Sequence, residues 1–125
     1  MKIIIETIPH ASQRYPTVGD WYKEGETLMI KVSEELPTKE ALLVAIHEFI
    51  EQSLCEDRGI TTEQVDVFDM AYEKTRPDGD DSEPGDSPDA PYRNEHFFAT
   101  SIERLIAAEF GVDWMLYESH INELP

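Results

Sequence analysis

The hydrophobic period of this chain changes once, at Pro37, and that change restricts the fold more than any other feature. Before it the apolar residues form short runs: Ile3-Ile4-Ile5 with Ile8, closed by Pro9, then 17–22 and 27–32 on either side of Lys23-Glu24-Gly25-Glu26. Val, Ile, Thr and aromatic side chains suit a pleated, half-buried surface, and a glycine-bearing polar turn between two such runs signals a hairpin. Leu28, Ile30 and Val32 alternate with Met29, Lys31 and Ser33, so the third strand offers one buried face. After Pro37 the spacing becomes helical. Thr38 is placed to cap a helix over 39–58, with Glu40 in its first turn and Gly59 as its stop. Thr61 and Gln64 form a capping box for a second helix ending near Lys74, with Ile60 stapled to Val65. A third helix, 92–110, stops at Gly111, and Asp113 caps a last one through Leu124. The expected fold is α+β, a small N-terminal antiparallel sheet packed on a helical C-terminal half. A chain of 125 residues buries one good core, so 1–125 reads as a single domain.

Charge narrows the partners. Ten basic against 27 acidic residues give a formal charge of −17, which repels phosphate backbones and anionic lipid. Nucleic acid and membrane surfaces are not expected as partners; a peptide substrate or a basic protein, even one normally occupied by nucleic acid, fits better. The N-terminal isoleucine run is too brief for a signal peptide, and no run approaches a membrane span, so the expected location is cytoplasmic. The single cysteine, Cys55, sits in a helical apolar pattern as a small buried thiol would.

Residues 76–91, RPDGDDSEPGDSPDAP, hold four prolines, two glycines and six acids, and form a loop longer than the usual connection. Their spacing does not match an EF-hand, so the segment reads as a solvated linker.

The stretch AIHEFIE places His47, Glu48 and Glu51 in the middle of an apolar helix. At about 100° per residue, His47 and Glu51 share one face with Leu43, Val44, Ile50 and Leu54. An unpaired buried polar group costs roughly 2–7 kcal/mol, so this pair needs partners. A divalent cation is one: an i, i+4 pair presents two ligand atoms to a single ion, and imidazole with carboxylate suits zinc. Glu48, at the edge of that face, stands where a base for a metal-bound water belongs. The third helix carries His96 and Glu103 on one stripe beside Ala99, Thr100 and Ala107, small residues that permit close approach. Packing the two stripes together would gather His47, Glu51, His96 and Glu103, three as metal ligands and the fourth orienting a ligand from behind. Without an ion, His47 and Glu51 would bond each other and His96 would be a core histidine.

The strand LMIKVSEEL, followed by a helix with His47-Glu48-x-x-Glu51, resembles the zincin-like metallopeptidases, including compact ones encoded near phage repressors. The resemblance covers roughly residues 26–55. It implies a strand edging the cleft, His47 and Glu51 as ligands, Glu48 as catalytic base, and a third ligand, His96 or Glu103, from a later helix. The family's second histidine is Glu51 here; a carboxylate adds negative charge, lowers the Lewis acidity of the metal, and admits iron or manganese beside zinc. The acidic loop leading into APYRNEHFFA is similar to small proteins of bacteriophage and prophage origin, which would fit a non-catalytic acidic interaction protein.

A second enzyme class uses other acids. Glu48/Glu51 and Asp66/Asp69 on successive helices resemble the paired motifs of all-α nucleotide pyrophosphohydrolases, which hold magnesium against phosphates. The N-terminal strands are foreign to that architecture, basic residues are few, and Asp66 and Asp69 fit the solvent face of a helix whose buried stripe is Val65, Phe68 and Tyr72. A di-iron bundle is excluded because no Glu-x-x-His occurs. His10 is expected in a surface turn, and His120 near a helix C-terminus.

Overall fold

A computed structural model describes all residues, 1–125. Three strands lead: β1 (Lys2–Ile8), β2 (Gly19–Glu24) and β3 (Thr27–Ser33). Four helices follow: α1 (Thr38–Asp57), α2 (Thr62–Thr75), α3 (Arg93–Phe110) and α4 (Trp114–Asn122). The expected α+β class is the observed one. The hairpin β2–β3 is antiparallel and closes on a two-residue turn, where Gly25 takes φ +61°, a conformation that favours glycine.

The sheet departs from the expected antiparallel form. β1 lies parallel to β3, with Ile5 opposite Ile30, so the order is β1-β3-β2 and the sheet is mixed. The chain between Ile8 and Gly19 passes through a 3₁₀ turn (His10–Ser12) and brings β2, not β3, back against the first strand's direction. Strand patterning specifies which residues pair well but not which direction they run. β3, in the centre, buries Leu28, Ile30 and Val32 as expected, but Met29 and Ser33 on its other face are buried as well, so the alternation does not mark a single buried face.

α1 begins at Thr38, one residue earlier than expected, with Pro37 rather than Thr38 in the capping position and no side-chain cap. Gly59 follows its end at φ +71°. The Thr61/Gln64 capping box opens α2 and Asp113 caps α4 through Leu116 N–H, both as the sequence indicates. α1 lies between the sheet and α3. Leu43, Val44 and Ala45 join Trp21, Ile30 and Val32 in the core, while His47 faces Glu103 and Glu51 faces His96. Those cross-pairs run in opposite senses along the two helices, so α1 and α3 are antiparallel. Ala99 and Ala107 are buried on α3, and their size allows the approach.

The expectations for His10 and for the loop 76–91 fail. His10 lies in a turn, but its ring is buried, with Nδ1 2.7 Å from Ser33 Oγ. Residues 76–91 are not a free linker: they contain a 3₁₀ turn, Pro84–Asp86, that packs on α3, and Ser82 bonds Tyr72 of α2. Gly85 allows the approach, because a Cβ there would stand 2.6 Å from His96 Nδ1. His120 pairs with Glu40 of α1 at 2.8 Å.

Candidate metal centre

The helical spacing of His47 and Glu51 brings both into the α1–α3 interface, where each is buried. His47 Nε2 and His96 Nδ1 converge on one oxygen of Glu51, at 3.1 and 2.9 Å. These ligand atoms lie within 4.8 Å of one another, close enough to surround one ion. Their rings meet edge to face at 4.9 Å between centroids.

Each inward-facing group is held from behind. Glu103 accepts from His47 Nδ1 at 2.7 Å, Asp86 accepts from His96 Nε2 at 3.1 Å, and Trp21 Nε1 donates to the other oxygen of Glu51 at 3.0 Å. Carboxylate behind imidazole is the arrangement that fixes tautomer and orientation at metal sites. Of the four residues the sequence brings forward, His47, Glu51 and His96 thus converge as a group that could hold an ion, and Glu103 stands behind His47. Trp21 and Asp86 join the site from outside those four residues. Trp21 pairs with Ile30 in the sheet register, so it faces the core, and a buried indole N–H needs an acceptor; that signal was available. Asp86 lies in a loop, where no periodicity reveals direction.

With protons alone in the site, the geometry dictates the charge. All four ring nitrogens face carboxylate oxygens, and a neutral imidazole has only one N–H. With those carboxylates ionised, both rings are imidazolium. Burial acts to lower their affinity for protons, but Glu103 and Glu51 hold His47 well above the ordinary value, and Asp86, Glu51 and Glu83 push His96 up to about 12. Burial would raise Glu51, yet the two imidazoles bring it down to about 2. Two cations 4.9 Å apart repel by about 3 kcal/mol at an effective dielectric of 20, a penalty that one ion replacing two protons removes.

Glu48 stands apart. It is half-buried, hydrogen-bonds no protein group, and lies over the backbone of Gly19, where a Cβ would meet its Oε1 at 2.6 Å. Burial first, then the neighbouring Glu51, raises its pKa well above the carboxylate range. It lines the same cleft as the three ligands, a space of about 380 Å³ bordered by eleven carboxylates and a single arginine, Arg76.

The second acidic pair is engaged elsewhere. Asp66 receives two hydrogen bonds from Arg14, at 3.2 Å each. Asp69 is buried, not on the solvent face, and accepts from Tyr92 at 2.6 Å and Tyr15 at 3.1 Å. Neither belongs to a group of three converging ligand atoms. No helix is long and apolar enough to cross a membrane. Compared with protein families, curated proteins and solved structures, the chain matches none.

Proposed function

We propose that this protein binds one divalent metal ion through His47 Nε2, Glu51 and His96 Nδ1, zinc first and iron or manganese after it, as a zincin-like hydrolase of peptide bonds. The observation that carries the reading is the convergence of three buried ligand atoms, each held from behind by its own partner. Two imidazoles and a carboxylate fit zinc and its neighbours in size, charge and softness. When bound, such an ion supplies Lewis acidity and an acidified water.

The chain's own residues would do the rest. Glu48, unpaired and with a raised proton affinity, is fitted to hold a proton taken from water and return it to a leaving amine. Glu103 and Asp86 keep the imidazoles aimed inward. A cleft lined by eleven carboxylates disfavours nucleotides and other anions, and favours a peptide bearing lysine or arginine. This charge, with Asp66 and Asp69 engaged, weighs against the pyrophosphohydrolase reading.

Burial of all three ligands also suits a closed, structural ion in a non-catalytic interaction protein, and activity separates the two. The first test is elemental analysis of purified protein beside His47→Ala, His96→Ala and Asp66→Ala. One ion per chain is expected in the parent and in Asp66→Ala, and none in the histidine variants, with urea unfolding confirming that each variant folds. Loss in Asp66→Ala alone would replace this reading with the pyrophosphohydrolase one. Cleavage of basic peptides by the parent but not by metal-loaded Glu48→Gln would make the site catalytic.

A further inference from the structure

His96 presents its second nitrogen to another group of ligands. Nε2 lies 3.1 Å from Asp86 Oδ1 and 3.1 Å from Glu83 Oε2, and the three atoms fall within 4.8 Å of one another. Only Asp86 lies where a ring N–H can donate. Glu83 is as near but off the line of the ring N–H, so two carboxylate oxygens stand within reach of a nitrogen whose single proton is directed at one of them. No lysine or arginine pairs with either acid.

The loop is shaped to put them there. In the turn Pro84–Asp86, Asp86 N–H donates to Glu83 C=O at 3.0 Å, which folds both side chains toward α3, and Gly85 lies against the ring where no Cβ fits. Resting on the first site, we propose that His96 bridges two metal ions, the second held by Nε2, Glu83 and Asp86. Five carboxylates, Glu48, Glu51, Glu83, Asp86 and Glu103, surround two imidazoles here, and one divalent ion leaves that set strongly negative. A second ion takes the place of the Nε2 proton, which passes to solvent, and offsets the surplus charge. Nitrogen with two carboxylates suits zinc, copper or manganese, and because Glu83 and Asp86 are half-exposed, water can complete the coordination.

The test is stoichiometry on the full chain. Chelator-stripped protein is dialysed against zinc and analysed for metal, beside Glu83→Gln, which removes an exposed ligand of the second ion and leaves Asp86 in place behind His96. Two ions per chain in the parent and one in the variant support the proposal. One ion in both overturns it while leaving the first site standing; none in the parent overturns both; two in both places the second ion elsewhere and overturns it. The bridge has its own readout. With copper(II) in both positions, an imidazolate bridge couples the two spins and suppresses the low-temperature electron paramagnetic resonance signal. Two full, uncoupled signals would refute the bridge.

Discussion

Binding of the first ion should release two protons. Each imidazole holds a proton on both nitrogens when no metal is present, because each nitrogen faces a carboxylate; His96 is pushed up to about 12 and His47 well above its ordinary value. A metal needs the inward nitrogen bare, so one proton leaves each ring while Glu103 and Asp86 retain the outer ones. The alternative is easily separated. Two ordinary histidines of pKa about 6.5 are each only about one quarter protonated at pH 7, and would release roughly half a proton together. Mass action gives a second number: with two protons displaced, affinity rises about a hundredfold between pH 7 and pH 8, against less than about twofold for ordinary histidines. The assay is calorimetric titration of the first zinc equivalent in buffers of differing ionisation enthalpy. It is done in Glu48→Gln to silence a carboxyl whose own raised pKa would add a proton. Release of half a proton or less, with affinity flat across that pH range, would refute the charge state derived from the geometry.

Three other substitutions test separate parts of the structure. Glu103→Gln removes the charge behind His47 and should weaken zinc roughly 10- to 100-fold, read by chelator competition, without changing stoichiometry. Gly85→Val places side-chain atoms where the His96 ring lies, so limited proteolysis should cut within 76–91 faster and zinc affinity should fall, while unfolding of the helical core moves little. Asp69 is raised by burial to about 7, despite hydrogen bonds from Tyr92 and Tyr15. A folded-state value above the unfolded one means that its contribution is complete below about pH 4 and is lost as pH climbs through 7. The loss is at most roughly 4 kcal/mol at about 1.4 kcal/mol per pH unit, so urea unfolding should show Asp69→Asn gaining on the parent from pH 5 to pH 8. Equal slopes would show that Asp69 does not titrate in that range.

Much of the helical half is legible because its signals are local. A capping box at Thr61, glycine at 59 and 111, and Asp113 before α4 each satisfy backbone groups within a few residues, and each lies where the sequence indicates. Strand direction is not local. Nothing in Ile3-Ile4-Ile5 distinguishes parallel from antiparallel pairing, since both bury the same face, and the answer depends on where the next ten residues travel. The sequence puts His10 and Asp69 at the surface for a related reason, and the structure buries both. A polar residue next to a turn, or opposite an apolar stripe, reads as solvent-facing until its partner is known, and Ser33, Tyr15 and Tyr92 are distant in sequence.

The loop 76–91 shows where composition misleads. Six acids among prolines and glycines indicate that the segment buries no core of its own, which is correct, and suggest that it is therefore solvated, which does not follow. It needs no core of its own because α3 supplies the surface: a buried imidazole with a free nitrogen is a strong partner for an exposed acid, and Gly85 lets the backbone come close enough to use it. The same features that disqualify the segment from helix or strand, proline to set the turn and glycine to vacate space, are those needed to lay carboxylates against His96. An acidic loop that leads into a helix carrying a buried histidine is thus better read as a source of partners for that histidine than as a spacer. The distinction rests on whether a buried nitrogen at its far end would otherwise lack a partner.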